Sequence, residues 1–123
     1  MSSRLEWEDE GKFCRRVRRE LFVHSIKLNL QGNRGWPDRM FLLPGKPVFI
    51  EFKRRGEHPS DLQLYRIKQL TALGYDALWT SDYDLAWNWI TNLLTTRLSE
   101  AGHQVDDWTG LRGVIPRPRT GEN

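Results

Sequence analysis

Cysteine is almost absent from this chain. Among 123 residues there is one, Cys14, which has no partner for a disulfide within the chain. With only three scattered histidines beside it, His24, His58 and His103, a Cys/His zinc site is excluded. Long apolar runs are missing too. No segment approaches the roughly 20 apolar residues that cross a bilayer, and the N-terminus lacks the hydrophobic stretch of a signal peptide, so no membrane partner and a cytoplasmic location are expected. Internal repeats are absent. A strong surplus of either charge is also missing: 19 basic against 16 acidic residues leave a net +3 and a pI of about 9.3, too mild to point to nucleic acid unless the charges cluster. The size, 14.5 kDa, is that of one domain able to bury a core without covalent staples.

What the sequence does hold is a pair of short motifs, Gly35-Trp36-Pro37-Asp38 and Ile50-Glu51-Phe52-Lys53. Asp38 to Leu43 and Val48 to Lys53 are apolar-rich runs separated by Pro44-Gly45-Lys46-Pro47, which reads as a β-hairpin. Pairing the runs about the middle of that turn sets Asp38 opposite Lys53, with Glu51 on its diagonal. Side chains alternate along a strand, so Glu51 and Lys53 share one face while Val48, Ile50 and Phe52 share the other and go to the core. Cross-strand and diagonal neighbours lie about 4.5 to 8 Å apart, close enough for two carboxylates to hold one ion. An exposed strand alternating Glu and Lys would look the same in isolation. The Gly-x-Pro-Asp at hairpin distance is what favours a site for a divalent cation and a water nucleophile, the chemistry of phosphodiester hydrolysis.

The run from Lys27 through Gly35-Trp36-Pro37-Asp38-Arg39, then Phe49-Ile50-Glu51-Phe52-Lys53, Ser60-Asp61-Leu62-Gln63 and Leu73-Gly74-Tyr75, resembles the VRR-NUC (virus-type replication-repair nuclease) branch of the PD-(D/E)xK nuclease superfamily. Order and spacing agree over roughly residues 6 to 80. The resemblance implies an α/β (α+β) restriction-endonuclease-like core: a first helix, three mostly antiparallel strands, a helix and a further strand, making a mixed central sheet flanked by helices. It implies a Mg²⁺- or Mn²⁺-dependent endonuclease in which Asp38 and Glu51 are metal ligands, Lys53 is the catalytic lysine and Gln63 the helix-borne glutamine. A first-helix glutamate also belongs to the pattern. Glu10 fits best and Glu6 is its rival, in a stretch crowded by Glu8 and Asp9 as well.

Two readings of Gln63 stand side by side. Ser60 and Gln63 form the capping box that starts a helix, while Gln63, Ile67 and Leu70 recur with the spacing of a face packed on the sheet. The arginines divide similarly. Arg15, Arg16, Arg18 and Arg19 lie opposite Phe13, Val17 and Leu21 on the first helix, as a solvated face would. Lys27, Arg34, Arg39, Arg54 and Arg55 surround the two motifs and suit phosphate contacts. Leu62 to Leu73 is expected as a helix ended by Gly74, Tyr75 to Thr80 as a strand. A last helix, capped by Asp82 or Asp84, runs to about Ser99 on a stripe of Ala86, Ile90, Leu93 and Leu94. Trp87 and Trp89 cannot both lie on that stripe, which suggests a surface for a twofold partner. Residues 1–100 are taken as the domain and 101–123 as an extended arm.

The mechanism this implies is hydrolysis by metal-activated water, with Asp38, Glu51, the backbone carbonyl of Phe52 and a phosphate oxygen around Mg²⁺. Lys53 would orient the water and offset charge on the phosphorane. The resemblance is to stand-alone phage and bacterial members, which are similar to Holliday-junction resolvases. A homodimer cutting branched or four-way-junction DNA in a bacterial or phage-infected cytoplasm is therefore expected. A restriction or nicking enzyme, and a non-catalytic DNA-binding module, are the alternatives.

Overall fold

The computed structural model describes residues 9–29, 32, 34–103 and 108. In chain order these form α1 (Glu10–Leu21), β1 (Ser25–Lys27), β2 (Arg39–Phe41), β3 (Val48–Phe52), α2 (Asp61–Ala72), β4 (Asp76–Thr80) and α3 (Tyr83–Glu100). The four strands make one sheet in sequence order. β1, β2 and β3 form an antiparallel meander, and β4 returns through α2 to lie parallel to β3, as a parallel pair requires a crossover connection. This is the α/β arrangement that the resemblance implies.

The helix starts follow from their caps. Asp9 accepts from the Lys12 N–H at 2.7 Å and opens α1, and the Asp82 carboxylate does the same for the amides of Asp84 and Leu85 at α3. Each cap satisfies amides that no preceding turn can reach. Asp82 is thus the cap, and α3 runs one residue beyond the end expected.

The sheet has two unlike faces. On one, Val48, Ile50 and Phe52 of β3 meet Phe41, the Phe13–Val17 stripe of α1 and the Ala86–Ile90–Leu94–Leu98 stripe of α3 in a core of buried residues. Phe13 is its centre, with ring centroids 5.5 Å from Phe52 and Tyr83, 6.3 Å from Phe41 and 6.4 Å from Trp87. The other face is covered by α2, whose one fully buried apolar residue is Leu70.

Three expectations need correction here. The Leu43 N–H folds back to the Phe41 carbonyl at 3.1 Å, ending β2 early, so the hairpin register pairs Phe41 with Val48 and Arg39 with Ile50. The pairing differs from the expected one by two residues, which keeps every side chain on its face. Second, Trp87 and Trp89 both pack, partly buried, against the core of their own chain. Because α3 touches both α1 and β4, its covered arc is wider than one stripe, and both tryptophans are partly covered by their own chain. Third, Trp108, expected in the arm, docks on the body. Its indole donates to the Leu21 carbonyl at 2.9 Å beside the Phe22 ring. Residues 104–107 and 109–123 of the proposed arm lie outside the described residues.

Phe13→Ala is expected to cost about 3–5 kcal/mol, the range for emptying a packed aromatic site. A urea titration should show the midpoint fall accordingly, with Phe13→Leu losing less.

Candidate active site

Carrying the β2–β3 register one step beyond Arg39 and Ile50 sets Asp38 directly across from Glu51. The Asp38 N–H donates to Glu51 Oε1 at 3.1 Å. Glu51 is only 2 % exposed, and its other oxygen, Oε2, accepts from Gln63 Nε2 at 3.2 Å and lies 3.4 Å from Lys53 Nζ. A buried carboxylate without donors would be prohibitively costly; this one has them from the loop before β2, from α2 and from the residue that follows β3.

Burial holds the Glu51 carboxyl above its ordinary range, and the charge of Asp38 pushes the same way, against the opposing pull of Lys53 and the Asp38 N–H. Asp38 is raised too, first by burial and then by the charge of Glu10, while Lys27, Lys53 and Arg39 counter it. Two desolvated carboxylates, each raised further by a neighbouring negative charge, are a place where a cation would be stabilising.

Gln63 fills both roles considered for it. Ser60 Oγ accepts from the Gln63 N–H at 3.1 Å, and the Ser60 N–H donates to Gln63 Oε1 at 2.9 Å, closing the capping box. With the amide oxygen committed to the helix cap, its NH₂ group is left facing Glu51. The helix start therefore orients a group of the site.

Lys53 is fixed by its backbone, the N–H donating to Thr80 O on β4 at 2.9 Å. In a trans peptide the C=O points opposite to that N–H, so the Phe52 carbonyl is directed toward β2. The residue across from it in the continued register is Pro37, fully buried and without an N–H to offer. This oxygen thus opens beside Asp38 and Glu51.

Among the described residues no three His, Cys, Asp or Glu side chains gather as a metal cage. Two carboxylates and a carbonyl still fit Mg²⁺, which keeps several waters and takes the rest of its shell from substrate phosphate.

The chain as a whole is similar to known proteins. No family model matches. The phage protein "Putative nuclease p44" of Acyrthosiphon pisum secondary endosymbiont phage 1 is 43 % identical over 63 residues, 50 % of this chain and 68 % of that protein. A solved structure described as a VRR_NUC domain superposes with a TM-score of 0.57 at 22 % identity, covering 66 % of this chain and 89 % of its own. The chain belongs to the VRR-NUC family. Its fold is accordingly the PD-(D/E)xK type.

In this VRR-NUC chain the residues singled out by sequence are brought together unequally. Asp38, Glu51, Lys53 and Gln63 converge, and the Phe52 carbonyl is directed toward the same strand edge. Glu10, in the first turn of α1, reaches the site's edge through an ion pair with Arg39 at 2.5 Å; Glu6 lies outside the described residues. In that pair the guanidinium of Arg39, expected as a phosphate contact, is 17 % exposed and engaged by Glu10. Lys27, Arg34, Arg54 and Arg55 are exposed at the rim. Of the first-helix arginines, Arg16 pairs with Glu20 and lies over the Trp87 ring, while Arg15, Arg18 and Arg19 are exposed.

Sequence reasoning missed Arg66 and Thr80. Thr80 O positions Lys53, and a main-chain acceptor leaves no trace in residue type. Arg66 holds the loop ahead of Asp38; Gly35 was the available signal, because a Cβ there would lie 2.6 Å from Leu62 Cγ on α2.

The raised Asp38 carboxyl carries a stability consequence of definite sign. Its ionised form is disfavoured in the fold, so metal-free protein is penalised above the unfolded-state value near 3.8, and the penalty vanishes once pH falls below that value. Asp38→Asn is expected to raise the thermal midpoint of metal-free protein at pH 7. Melts repeated toward pH 3.5 should show the gain disappear; an equal gain at both pH values would contradict the burial of charge at this position.

Proposed function

We propose that this chain is a metal-dependent endonuclease that hydrolyses phosphodiester bonds in branched DNA, most simply the four-way junction. The observation that carries this reading is the convergence of Asp38, the 2 % exposed Glu51 and Lys53 at the adjoining ends of β2 and β3. The description of the phage relative as a nuclease agrees with it.

Asp38, Glu51 and the Phe52 carbonyl would hold Mg²⁺ or Mn²⁺, which supplies a polarised phosphoryl group and a bound water of lowered pKa. Lys53, 20 % exposed and braced by Glu51, orients the attacking water and offsets the negative charge that builds on phosphorus. Gln63 keeps Glu51 turned toward the ion. Glu10 adds negative potential at the edge of the site and shares Arg39 with Asp38. The exposed Lys27, Arg34, Arg54 and Arg55 meet flanking phosphates, the main source of sequence-independent affinity for DNA. Short connections such as the Pro44–Pro47 turn leave little room for loops that read bases, which favours recognition of DNA shape over sequence.

A junction carries two equivalent strands to be cut, and a homodimer would present one site to each. With Trp87 and Trp89 partly covered by their own chain, the partner surface would extend beyond them. Sedimentation at micromolar concentration is expected to give a dimer; a 14.5 kDa monomer would remove this part of the proposal.

The deciding assay offers four-way, flap, nicked and linear DNA with Mg²⁺, Mn²⁺ or excess chelator. Preferential junction cleavage that chelator abolishes is expected. Cleavage at one sequence in linear duplex would indicate a restriction or nicking enzyme, and binding without cleavage under any condition a non-catalytic module.

Asp38→Ala and Glu51→Ala should each remove cleavage and leave DNA binding largely intact. Lys53→Ala is expected to lower the single-turnover rate by about 100-fold or more while metal binding persists. Wild-type rates in that variant would exclude Lys53 from the chemistry.

A further inference from the structure

The segment that delivers Asp38 is held from outside by α2. Arg66 Nε donates to the Arg34 carbonyl at 3.1 Å, and the Arg66 guanidinium lies over the Trp36 ring, 4.4 Å from its centroid. Arg66 Nη1 donates to Gln69 Oε1 at 3.1 Å, which steadies the guanidinium on its own helix. Gly35, with φ +85°, sits so close that a Cβ would meet Leu62 Cγ at 2.6 Å and Arg66 Cγ at 3.2 Å. Arg34, Gly35 and Trp36 are therefore laid directly on the helix surface.

Arg66 follows Gln63 by three residues, one turn along the same face of α2, a rise of about 4.5 Å. One rigid turn thus touches both carboxylates' supports: Gln63 holds Glu51, and Arg66 holds the loop that ends in Asp38. We propose that Arg66 is a positioning residue that sets the place of Asp38 relative to Glu51, and with it the geometry of the cation site. The proposal rests on the metal-dependent reading above. Arg66 acts through the backbone of residue 34 and the ring of residue 36 and touches no reacting atom. Its Nε, Nη1 and planar face are already engaged, which separates it from the exposed rim arginines.

Mn²⁺ binding to DNA-free protein, followed by calorimetry, tests this apart from cleavage. Arg66→Ala is expected to weaken Mn²⁺ binding about tenfold, since small misplacements of a ligand are expensive, while the single-turnover rate at saturating Mn²⁺ stays within about threefold of wild type. Arg66→Lys, which can still donate to the Arg34 carbonyl, should recover part of the affinity. Gly35→Ala approaches from the other side: it keeps Arg66 but lifts the loop from α2, and should reproduce the loss. Leu73→Ala, at the far end of the same helix and 67 % exposed, should bind Mn²⁺ as wild type does. Circular dichroism melts confirm that each variant is folded.

Unchanged Mn²⁺ affinity in Arg66→Ala and Gly35→Ala, beside normal binding by wild type, overturns the positioning role and leaves the metal reading standing. Wild-type protein that binds no Mn²⁺ overturns that reading and the proposal with it. A rate at saturating Mn²⁺ that falls as far as the affinity would move Arg66 from positioning the ion to contacting substrate, and would also overturn the proposal.

Discussion

A carboxylate sealed into a sheet has to be surrounded by donors, and Glu51 imposes that demand on every element around it. Its three donors arrive from the loop before β2, from the first turn of α2 and from the end of β3. Each is tied down in turn: the Asp38 amide by the hairpin register, the Gln63 amide by the Ser60 cap, Lys53 by the Thr80 carbonyl. Removing any one would leave a buried charge short of partners, a larger penalty than losing a surface hydrogen bond. The local structure around the site is therefore specified by polar satisfaction more than by apolar packing.

The two faces of the sheet divide the labour. The α1/α3 face is filled by aromatic and branched side chains around Phe13 and supplies stability through apolar burial. The α2 face buries little apolar surface and tolerates the cluster of charges. Arg97 links the two regions from the core side, binding the carbonyls of Pro44 and Lys46 in the hairpin turn and Asp76 at the start of β4. The turn and the parallel strand are thereby held at fixed spacing, which keeps β3 from shifting against either neighbour.

What the sequence made legible was whatever depends on parity and local chemistry. Alternation alone placed Val48, Ile50 and Phe52 in the core and Glu51 and Lys53 opposite, and survived a two-residue error in register because two is the period of a strand. Ser60, Gln63 and Asp82 announced helix starts because capping is a contact between near neighbours. Interactions between residues far apart in the chain left weaker marks. The engagement of Arg39 by Glu10 joins β2 to α1, and a basic residue beside Pro-Asp looks the same whether it meets a phosphate or a glutamate. Trp87 and Trp89 read as a surplus because a helical stripe assumes one packing partner, whereas α3 has two. Arg66 left only the indirect mark of Gly35 for a related reason: on a helix surface nothing in the residue itself distinguishes an arginine that stacks on a distant indole from one left in water.

Pro37 deserves a last thought in terms of sheet growth. An antiparallel ladder lengthens spontaneously as long as each new rung can donate and accept, and the register here would bring residue 37 against Phe52 next. A ring nitrogen at that place halts the zipper at the rung where Asp38 begins, and holds the hairpin ajar. Were residue 37 of any other type, its amide could close on the Phe52 carbonyl, and the same pairing energy that builds the sheet would seal its mouth. The imino acid is thus a spacer, keeping open by covalent structure what hydrogen bonding would otherwise shut.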